Sequence, residues 1–294
     1  MDYFLALLVS GLLSGAVYAL VGVAFVVVYR ASAVLNFSLG EWVSLGARVT
    51  GAGVQTAGLP VIGAFAGAAA LLVVLAAVFN RLVVWRLSGR AVVAVVLATL
   101  ALGVLLRGGS ALALGGVPAD IPAPFDGVLW RWGSVPVPPA RLLASGVAIA
   151  MVVSVMAFFR YSRAGLAIRA IADDPQAATV SGMSVPRNLA LAWAISAILC
   201  AAGGVLWSID GLGGFGMGLA LAKVLPVVVI GGLTSFGGAF VGAALVGVAE
   251  TMAAGYLDPW IGTGSGALIA AMLIVATLWV RPTGLFGARS VARV

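Results

Sequence analysis

The sequence predicts an all-α polytopic membrane protein with about eight transmembrane segments, two of them interrupted. Hydrophobic residues make up 63% of the chain and charged residues 9%, whereas a soluble domain carries about 25% charged residues. Residues 3–29 contain no charged side chain, and about 20 apolar residues are enough to cross a bilayer core. We therefore expect residues 1–294 to form a single transmembrane domain.

Six continuous apolar runs are candidates for membrane spans. They comprise residues 3–28, 59–80, 91–106, 142–159, 188–209 and 264–280. Glycines spaced four residues apart within apolar sequence favour close packing of helices, and such pairs are Gly11 with Gly15, Gly63 with Gly67, and Gly238 with Gly242.

Residues 31–47 form a seventh apolar segment, interrupted by polar residues and glycine. Unpaired backbone groups are not tolerated in lipid, so such a break is expected to face protein or a water-filled path. Glu41 is the one acid in this segment, and an intramembrane carboxylate is a functional candidate by default. A position near a helix end, where the carboxylate reaches the lipid headgroups, is the competing interpretation. The candidate pathway residues here are Asn36, Phe37, Ser38, Gly40 and Glu41.

Residues 224–249 form the eighth segment and are interrupted by the sequence GGLTSFGG at residues 231–238. Transporters built from internal repeats often carry one broken helix in each half, with the solute site at the breaks. The similarity between the two breaks is short, and chance in a glycine-rich chain explains it equally well. From this second break we assign Gly232, Thr234, Ser235 and Gly237 to the translocation pathway.

The distribution of arginine predicts the orientation in the membrane. Residues 81–90, 160–187 and 281–293 carry most of the arginines and are expected in the cytoplasm, together with the C-terminus. Residues 107–141 are rich in proline and contain Trp130 and Trp132, so they are predicted to form an outer loop. Glu250 and Asp258 precede the last span and are expected on the same outer side. The side of the N-terminus is left open.

Composition excludes several kinds of chemistry. The chain has no histidine and a single cysteine, Cys200, so the usual zinc and haem sites, an intrachain disulfide and a histidine-dependent triad are not expected. Its one lysine, Lys223, is not part of a Gly-Lys-Ser or Gly-Lys-Thr phosphate loop. The net charge of +7 lies in short segments between apolar runs, which indicates membrane topology rather than nucleic-acid binding. We predict a non-catalytic chain with no cofactor or metal of its own.

The loop at residues 160–187 contains signals for a short helix. Asp174 is a favourable N-cap and Pro175 suits the first helical position. Gly182 can end the helix in the left-handed conformation, and Ser184 with Pro186 repeats the start signal for the next span. Small residues on this helix would let another protein approach closely.

Four motifs of the chain resemble one transport family. The pattern from Gly165 through Arg169, Asp173 and Asp174 to Gly182 is similar to the coupling loop of branched-chain amino acid permeases of ABC importers. Residues 36–41 (NFSLGE) resemble that family's Asn-Phe-Ala-His-Gly-Glu, residues 231–238 its glycine-rich penultimate segment, and residues 281–287 (RPTGLFG) its C-terminal ending. The match runs in order along the whole chain. Leu39 departs from it, because the family commonly has histidine there, and this can change the pathway or the solute.

The resemblance implies the smaller membrane subunit of an importer for branched-chain or other small apolar amino acids, multi-pass in the bacterial inner membrane. It implies a second permease subunit, two cytoplasmic ATPase subunits that bind ATP and Mg²⁺, an extracytoplasmic substrate-binding protein and surrounding lipid as partners. Whether the second permease is a copy of this chain is left open. The residues that would contact the ATPase are Arg169, Asp173, Asp174, Ala177, Ala178 and Gly182.

Three alternatives are retained. Permeases for urea or short amides would share these motifs. An ion-coupled secondary transporter or channel usually places several acids or histidines within its spans, and Glu41 is nearly alone in the predicted ones. A membrane-embedded enzyme is the least favoured, because nucleophile candidates such as Ser38 and Ser235 have no histidine base in the sequence.

Overall fold

The structure is a computed structural model that describes residues 2–87, 92–117, 121–125, 127–132, 135–209 and 220–287. Long α-helices dominate it, and strands β1 (Trp130–Trp132) and β2 (Val135–Val137) form a short antiparallel hairpin. The helices are α1 (Asp2–Ser32), α2 (Leu39–Ala57), α3 (Val61–Phe79), α4 (Trp85–Leu87), α5 (Val92–Leu114), α6 (Pro139–Tyr161), α7 (Arg163–Asp173), α8 (Pro175–Val180), α9 (Val185–Trp207), α10 (Ala220–Gly231), α11 (Phe236–Tyr256), α12 (Asp258–Ile261) and α13 (Ser265–Val280).

The predicted helical membrane fold is confirmed. Within the described ranges, 6 helices are long and apolar enough to cross a bilayer, and α10 and α13 are shorter apolar helices. Both predicted interruptions are non-helical, at residues 33–38 and 232–235. Residues 31–47 are not one broken span, however, because α1 continues through Ser32 and α2 begins at Leu39.

Helix α1 lies at the centre of the bundle and packs on α6, α9, α10 and α11. Its contact with α11 is close because small residues meet there: a Cβ atom on Gly11 would lie 2.7 Å from Cα of Val248. Gly238 and Gly242 make a similar approach to α10. The predicted close approach at Gly67 is not found among the described residues, since none of their heavy atoms lies within 4 Å of the position its Cβ would take.

Two helices continue past an arginine at which the predicted span ends. The helix of α3 continues through a π-helical turn, Asn80–Val84, into α4, so Arg81 and Arg86 are helical. Likewise α5 continues past Arg107 to Leu114, and α6 begins at Pro139, which makes the connection shorter than residues 107–141. A helix can contain such an arginine where the guanidinium finds a partner: Arg107 bonds to Glu41, and Arg141 donates to Ser10 Oγ at 2.7 Å.

Candidate functional site

The loop at residues 160–187 folds into two helices, α7 and α8, which meet at Asp174 and which we call the elbow. Helix α7 was not predicted. Its start is marked by Ser162, whose Oγ accepts a hydrogen bond from Gly165 N–H at 2.9 Å. The spacing of the buried Ile168 and Ile171 is a helical signal that could have identified α7 from the sequence.

Helix α8 has the predicted boundaries. The Asp174 carboxylate accepts hydrogen bonds from Gln176 N–H at 2.9 Å and Ala177 N–H at 3.0 Å. At the other end Gly182 adopts φ +82°, and its N–H donates to Thr179 O at 2.9 Å. Met183 N–H donates to Ala178 O at 3.0 Å, which completes a Schellman motif. Ser184 precedes α9 as expected, although its side chain makes no capping bond.

The elbow is fastened to the bundle on one face and exposed on the other. Gly165 lies so near α6 that a Cβ atom there would come 2.6 Å from Cα of Phe159, and α7 also contacts α1. On α8, Ala178 is buried, whereas Ala177 is exposed and Val180 is 90% exposed. An exposed valine beside small residues forms a surface that a partner protein can cover.

A groove of about 710 Å³ separates the elbow from the neighbouring helix ends. Its cationic side chains are Arg30, Arg160 and Arg169, and Asp173 lies at the same groove. Within the described chain, Nε of Arg169 is buried and has no hydrogen-bond partner. The other lining residues are Tyr29, Ala33, Met156, Phe159, Ala172, Thr234, Ser235, Phe236, Gly237 and Phe286. Of the predicted coupling residues, Arg169 and Asp173 thus line this groove.

The second break, residues 232–235, is held by the C-terminal motif. Leu285 N–H donates to Ile230 O at 2.8 Å and Phe286 N–H to Gly231 O at 3.1 Å, which pairs carbonyls that the end of α10 leaves open. Gly232 has φ +102°, and a Cβ atom there would lie 2.4 Å from the amide N of Gly287. The two motifs that looked separate in the sequence therefore form one unit, and it lies across the groove from α7.

The first break, residues 33–38, is held by side chains inside the bundle. Asn36 Oδ1 accepts from Ser38 N–H at 3.1 Å and from Ser38 Oγ–H at 2.6 Å. Thr99 of α5 contributes its hydroxyl, which accepts from Phe37 N–H at 3.3 Å. Asn36 also lines a small void with Cys200, about 22 Å along α9 from its start at 1.5 Å per residue. This break therefore lies deep in the bundle.

Beside the first break, Glu41 pairs with Arg107 of α5. Nε and Nη2 of Arg107 both donate to Oε1 of Glu41, the former at 2.9 Å. The side chain of Arg107 is 67% exposed and that of Glu41 12%. One turn farther along α5, Ser110 Oγ accepts from Arg48 Nη1 at 3.0 Å. We refer to Glu41, Arg107, Arg48 and Ser110 as the polar stripe.

A second ion pair lies between α1, α10 and α11. Lys223 Nζ donates to Glu250 Oε2 and to Tyr18 OH, each at 3.1 Å, and Tyr18 OH donates to Glu250 Oε2 at 3.0 Å. Glu250 is 7% exposed and lies within α11, so this helix extends beyond residue 249, where the sequence ended the eighth segment. The sequence showed an acid and a lysine far apart, with no signal that they meet.

Comparison with known proteins identifies the family. A family model described as the permease component of the branched-chain amino acid transport system matches residues 7–278. The chain belongs to this family. The permease is 28% identical over 310 residues to the high-affinity branched-chain amino acid transport system permease protein LivH of Salmonella typhimurium, covering 99% of this chain and 98% of LivH.

Two further comparisons extend this result. The permease is 26% identical to BraD of Pseudomonas aeruginosa, again a high-affinity branched-chain amino acid permease protein, over 99% of this chain and 98% of BraD. Among solved structures, PsaBC from Streptococcus pneumoniae in complex with Fab aligns with a TM-score of 0.51 and 18% identity, covering 94% of this chain and 92% of that chain. This structural likeness concerns the fold alone.

The predicted pathway residues of this permease lie in two separate places. Asn36, Ser38 and Gly40 are buried, and Phe37 and Glu41 are partly exposed beside α5. In the second set, Thr234, Ser235 and Gly237 line the groove next to the elbow, and Gly232 begins the same break. The sequence did not identify Arg107 as a site residue, because Arg107 falls in the segment predicted to be an outer loop. A contact with Glu41 was not expected there.

Proposed function

We propose that this permease is the membrane-spanning subunit of an ABC importer for branched-chain or other small apolar amino acids. The observation that carries the proposal is the elbow, a two-helix unit capped at both ends of α8 and exposed on its outer face. The family supports the solute class, since LivH and BraD are described as permease proteins of branched-chain amino acid transport systems. ATP and Mg²⁺ would be bound by separate ATPase subunits.

The elbow would transmit movement from an ATPase subunit to the bundle. Ala177 and Val180 offer an exposed surface for docking, while Asp173 and Asp174 add exposed carboxylates beside it. Ile168 and Ile171 are buried at the base of α7, so a push on α8 reaches α1 and α6 through packed side chains. Of the remaining predicted coupling residues, Ala178 and Gly182 shape α8, and Arg169 faces the groove.

The translocation pathway would follow the two breaks. Phe37 and Glu41 border it beside α5, with Asn36, Ser38 and Gly40 holding the backbone behind them. The second break, with Thr234, Ser235 and Gly237, forms the end of the pathway nearest the elbow. A second permease subunit would complete the pathway, and an extracytoplasmic binding protein would deliver the solute.

Reconstitution tests the whole proposal. The permease would be purified with a second permease and two ATPase subunits from the same source, inserted into liposomes and supplied with the binding protein. We expect leucine uptake that requires ATP and every component. Uptake of leucine by the permease alone, driven by an ion gradient, would indicate a secondary transporter, and ATP-driven uptake of urea without leucine would indicate the amide alternative.

The same system tests the elbow. Gly182 has a positive φ, and replacing it by tryptophan would strain the turn and add a bulky side chain to the docking surface. We expect Gly182→Trp to insert normally and to lose most ATP-driven uptake. Uptake at the wild-type rate would contradict the coupling role.

The orientation is testable by cysteine labelling. We propose that the elbow and the C-terminus both face the cytoplasm of a bacterial cell with the permease in its inner membrane, since Phe286 and α7 line one groove. In a Cys200→Ala background, a membrane-impermeant maleimide added outside should label Trp130→Cys and leave Val180→Cys unlabelled. The reverse pattern would show that the bundle is inverted.

A further inference from the structure

The polar stripe lies on a surface of α5 that is otherwise apolar and open. Around Arg107, the side chains of Val104, Leu105 and Leu112 are 73%, 70% and 92% exposed. Arg107 lies about 10 Å from the Leu114 end of α5, at 1.5 Å per residue, within a helix long enough to cross a bilayer. An arginine that faces hydrocarbon is costly unless its guanidinium reaches water or a partner. This part of α5 therefore borders water or another protein subunit.

The bond between Arg107 and Glu41 leaves binding capacity on both side chains. Both donated N–H groups bond to the same oxygen, Oε1 of Glu41. Among the residues the structure describes, no group bonds to Oε2 of Glu41 or to Nη1 of Arg107. A guanidinium has five N–H donors and an ionised carboxylate accepts at two oxygens. The pair thus offers donors and an acceptor side by side at an open surface.

The second ion pair of the permease differs in its surroundings. Lys223, Glu250 and Tyr18 bond to one another in a triangle that joins three helices, and Glu250 is buried. Both bonds to Glu250 also end on one oxygen, Oε2. The pair on the polar stripe is distinguished by the exposure of its cation, because the side chain of Arg107 is 67% exposed and that of Lys223 is 37% exposed.

We propose that Glu41 and Arg107 form a recognition site for the zwitterionic backbone of a free amino acid during its passage. The solute carboxylate would bind the free N–H groups of Arg107, with Arg48 of the same stripe as a nearby second cation, and the solute ammonium would bind Oε2 of Glu41. The arrangement suits charged donors and acceptors, which form stronger hydrogen bonds than neutral groups. A neutral solute such as urea has no charged group that could pair with Arg107 or with Glu41.

This inference rests on the proposed function and adds to it a site and a solute chemistry. It also gives α5 a place at the pathway, opposite the first break. The two elements are in contact at Gly103, where a Cβ atom would lie at an ordinary van der Waals distance of 3.5 Å from Cα and from Cβ of Ser38.

Direct binding tests the site. The complete transporter without its binding protein would be placed in lipid nanodiscs, and radiolabelled leucine would be titrated onto it. Unlabelled leucine should displace the radiolabelled leucine from the transporter. Leucinamide, whose carboxylate is masked, should displace it at least tenfold less well. Arg107→Gln should weaken leucine binding at least tenfold and remove the preference over leucinamide, and Arg107→Lys should restore part of both.

Two further variants separate recognition from a structural role. Arg86→Gln removes a positive charge from another exposed helical surface and should leave leucine binding unchanged. The exchange Glu41→Arg with Arg107→Glu keeps an ion pair between α2 and α5, and it should preserve assembly but lose leucine binding. Wild-type binding in Arg107→Gln or in the exchanged protein would overturn the site.

The outcome also distinguishes the two proposals. If the wild-type transporter shows no ATP-dependent leucine uptake, the proposed function fails and the site fails with it. If the wild type transports leucine and Arg107→Gln does so equally well with the same discrimination against leucinamide, only the recognition site is overturned.

Discussion

The two interrupted regions of this permease look alike in sequence and are built differently. Residues 33–38 are held by side chains, chiefly Asn36 and Thr99, in the depth of the bundle. Residues 232–235 are held by main-chain bonds from the C-terminal motif, beside the elbow. A cluster of glycine and serine in an apolar sequence therefore predicts where a helix breaks. What supports the broken backbone, and which surface it faces, depends on segments far away in the chain.

The largest effect is expected at the second break. Gly232→Val would introduce a side chain at φ +102° and 2.4 Å from the amide N of Gly287, at a cost of about 3 kcal/mol or more from strain and overpacking. Thermal unfolding in detergent should show a large loss of stability. Gly237→Ala is the matched control, because Gly237 is exposed with no heavy atom within 4 Å of its Cβ position. Equal stability of the two variants would show that the C-terminal motif does not hold this break.

A smaller effect is expected at the first break. Asn36→Ala removes the acceptor for both polar groups of Ser38, and leaving buried donors unpaired costs about 1–3 kcal/mol. The void next to Asn36 is also lined by Cys200, which is 1% exposed. Asn36→Ala should therefore lower the unfolding temperature, and it should increase the rate at which Cys200 reacts with a maleimide.

Ser154→Ala provides the control for that measurement, since it removes an exposed hydroxyl bonded within α6. It should alter neither stability nor labelling. Unchanged labelling of Cys200 in Asn36→Ala would mean that the first break keeps its shape without the asparagine.

The elbow lies beside the second break, and loss of the N-cap of α8 is expected to have a still smaller effect. Asp174→Ala removes the acceptor for two N–H groups of α8, a loss of about 1 kcal/mol in typical caps. The amount of ATPase subunit co-purified at limiting concentration should fall about fivefold. Gln176→Ala, an exposed change in the same turn that leaves the cap intact, should have no such effect, and an equal loss in both variants would assign the contact to the side chains rather than to the cap.

The smallest effect is expected just beyond the opposite end of α11, where the partly exposed Asp258 begins α12. Hydrogen bonds from the Ser265 hydroxyl at 2.5 Å and from its N–H at 3.0 Å lower the pKa of Asp258 below its ordinary value. A lowered pKa stabilises the fold above the unfolded-state pKa of about 3.9, and this contribution is lost as pH falls below it. Ser265→Ala should flatten the dependence of the unfolding temperature on pH below about 4. An identical pH dependence in both proteins would contradict the role of the Ser265 hydroxyl in lowering the pKa of Asp258.

Much of the site was predictable from local signals. The caps of α8 follow from Asp174, Pro175 and Gly182, because an N-cap and a left-handed C-terminus depend on the few residues around them. Residues 231–238 marked the second break for the same reason. Helix α7 was not predicted, although the sequence contains its N-cap, Ser162, and two isoleucines of α7 at helical spacing that are buried in the structure. Bounds of α5 and α6 were misplaced because an arginine was taken to end a span.

The amino-acid sequence by itself determined that this is a helical membrane permease, where its helices break and how the elbow is capped. Those features depend on apolar length and on residues within one turn of each other. The tertiary structure alone decided which charges meet: Glu41 with Arg107 at an open surface, and Glu250 with Lys223 in the bundle. Their partners lie on different helices, and only the packing of those helices brings them within hydrogen-bond reach.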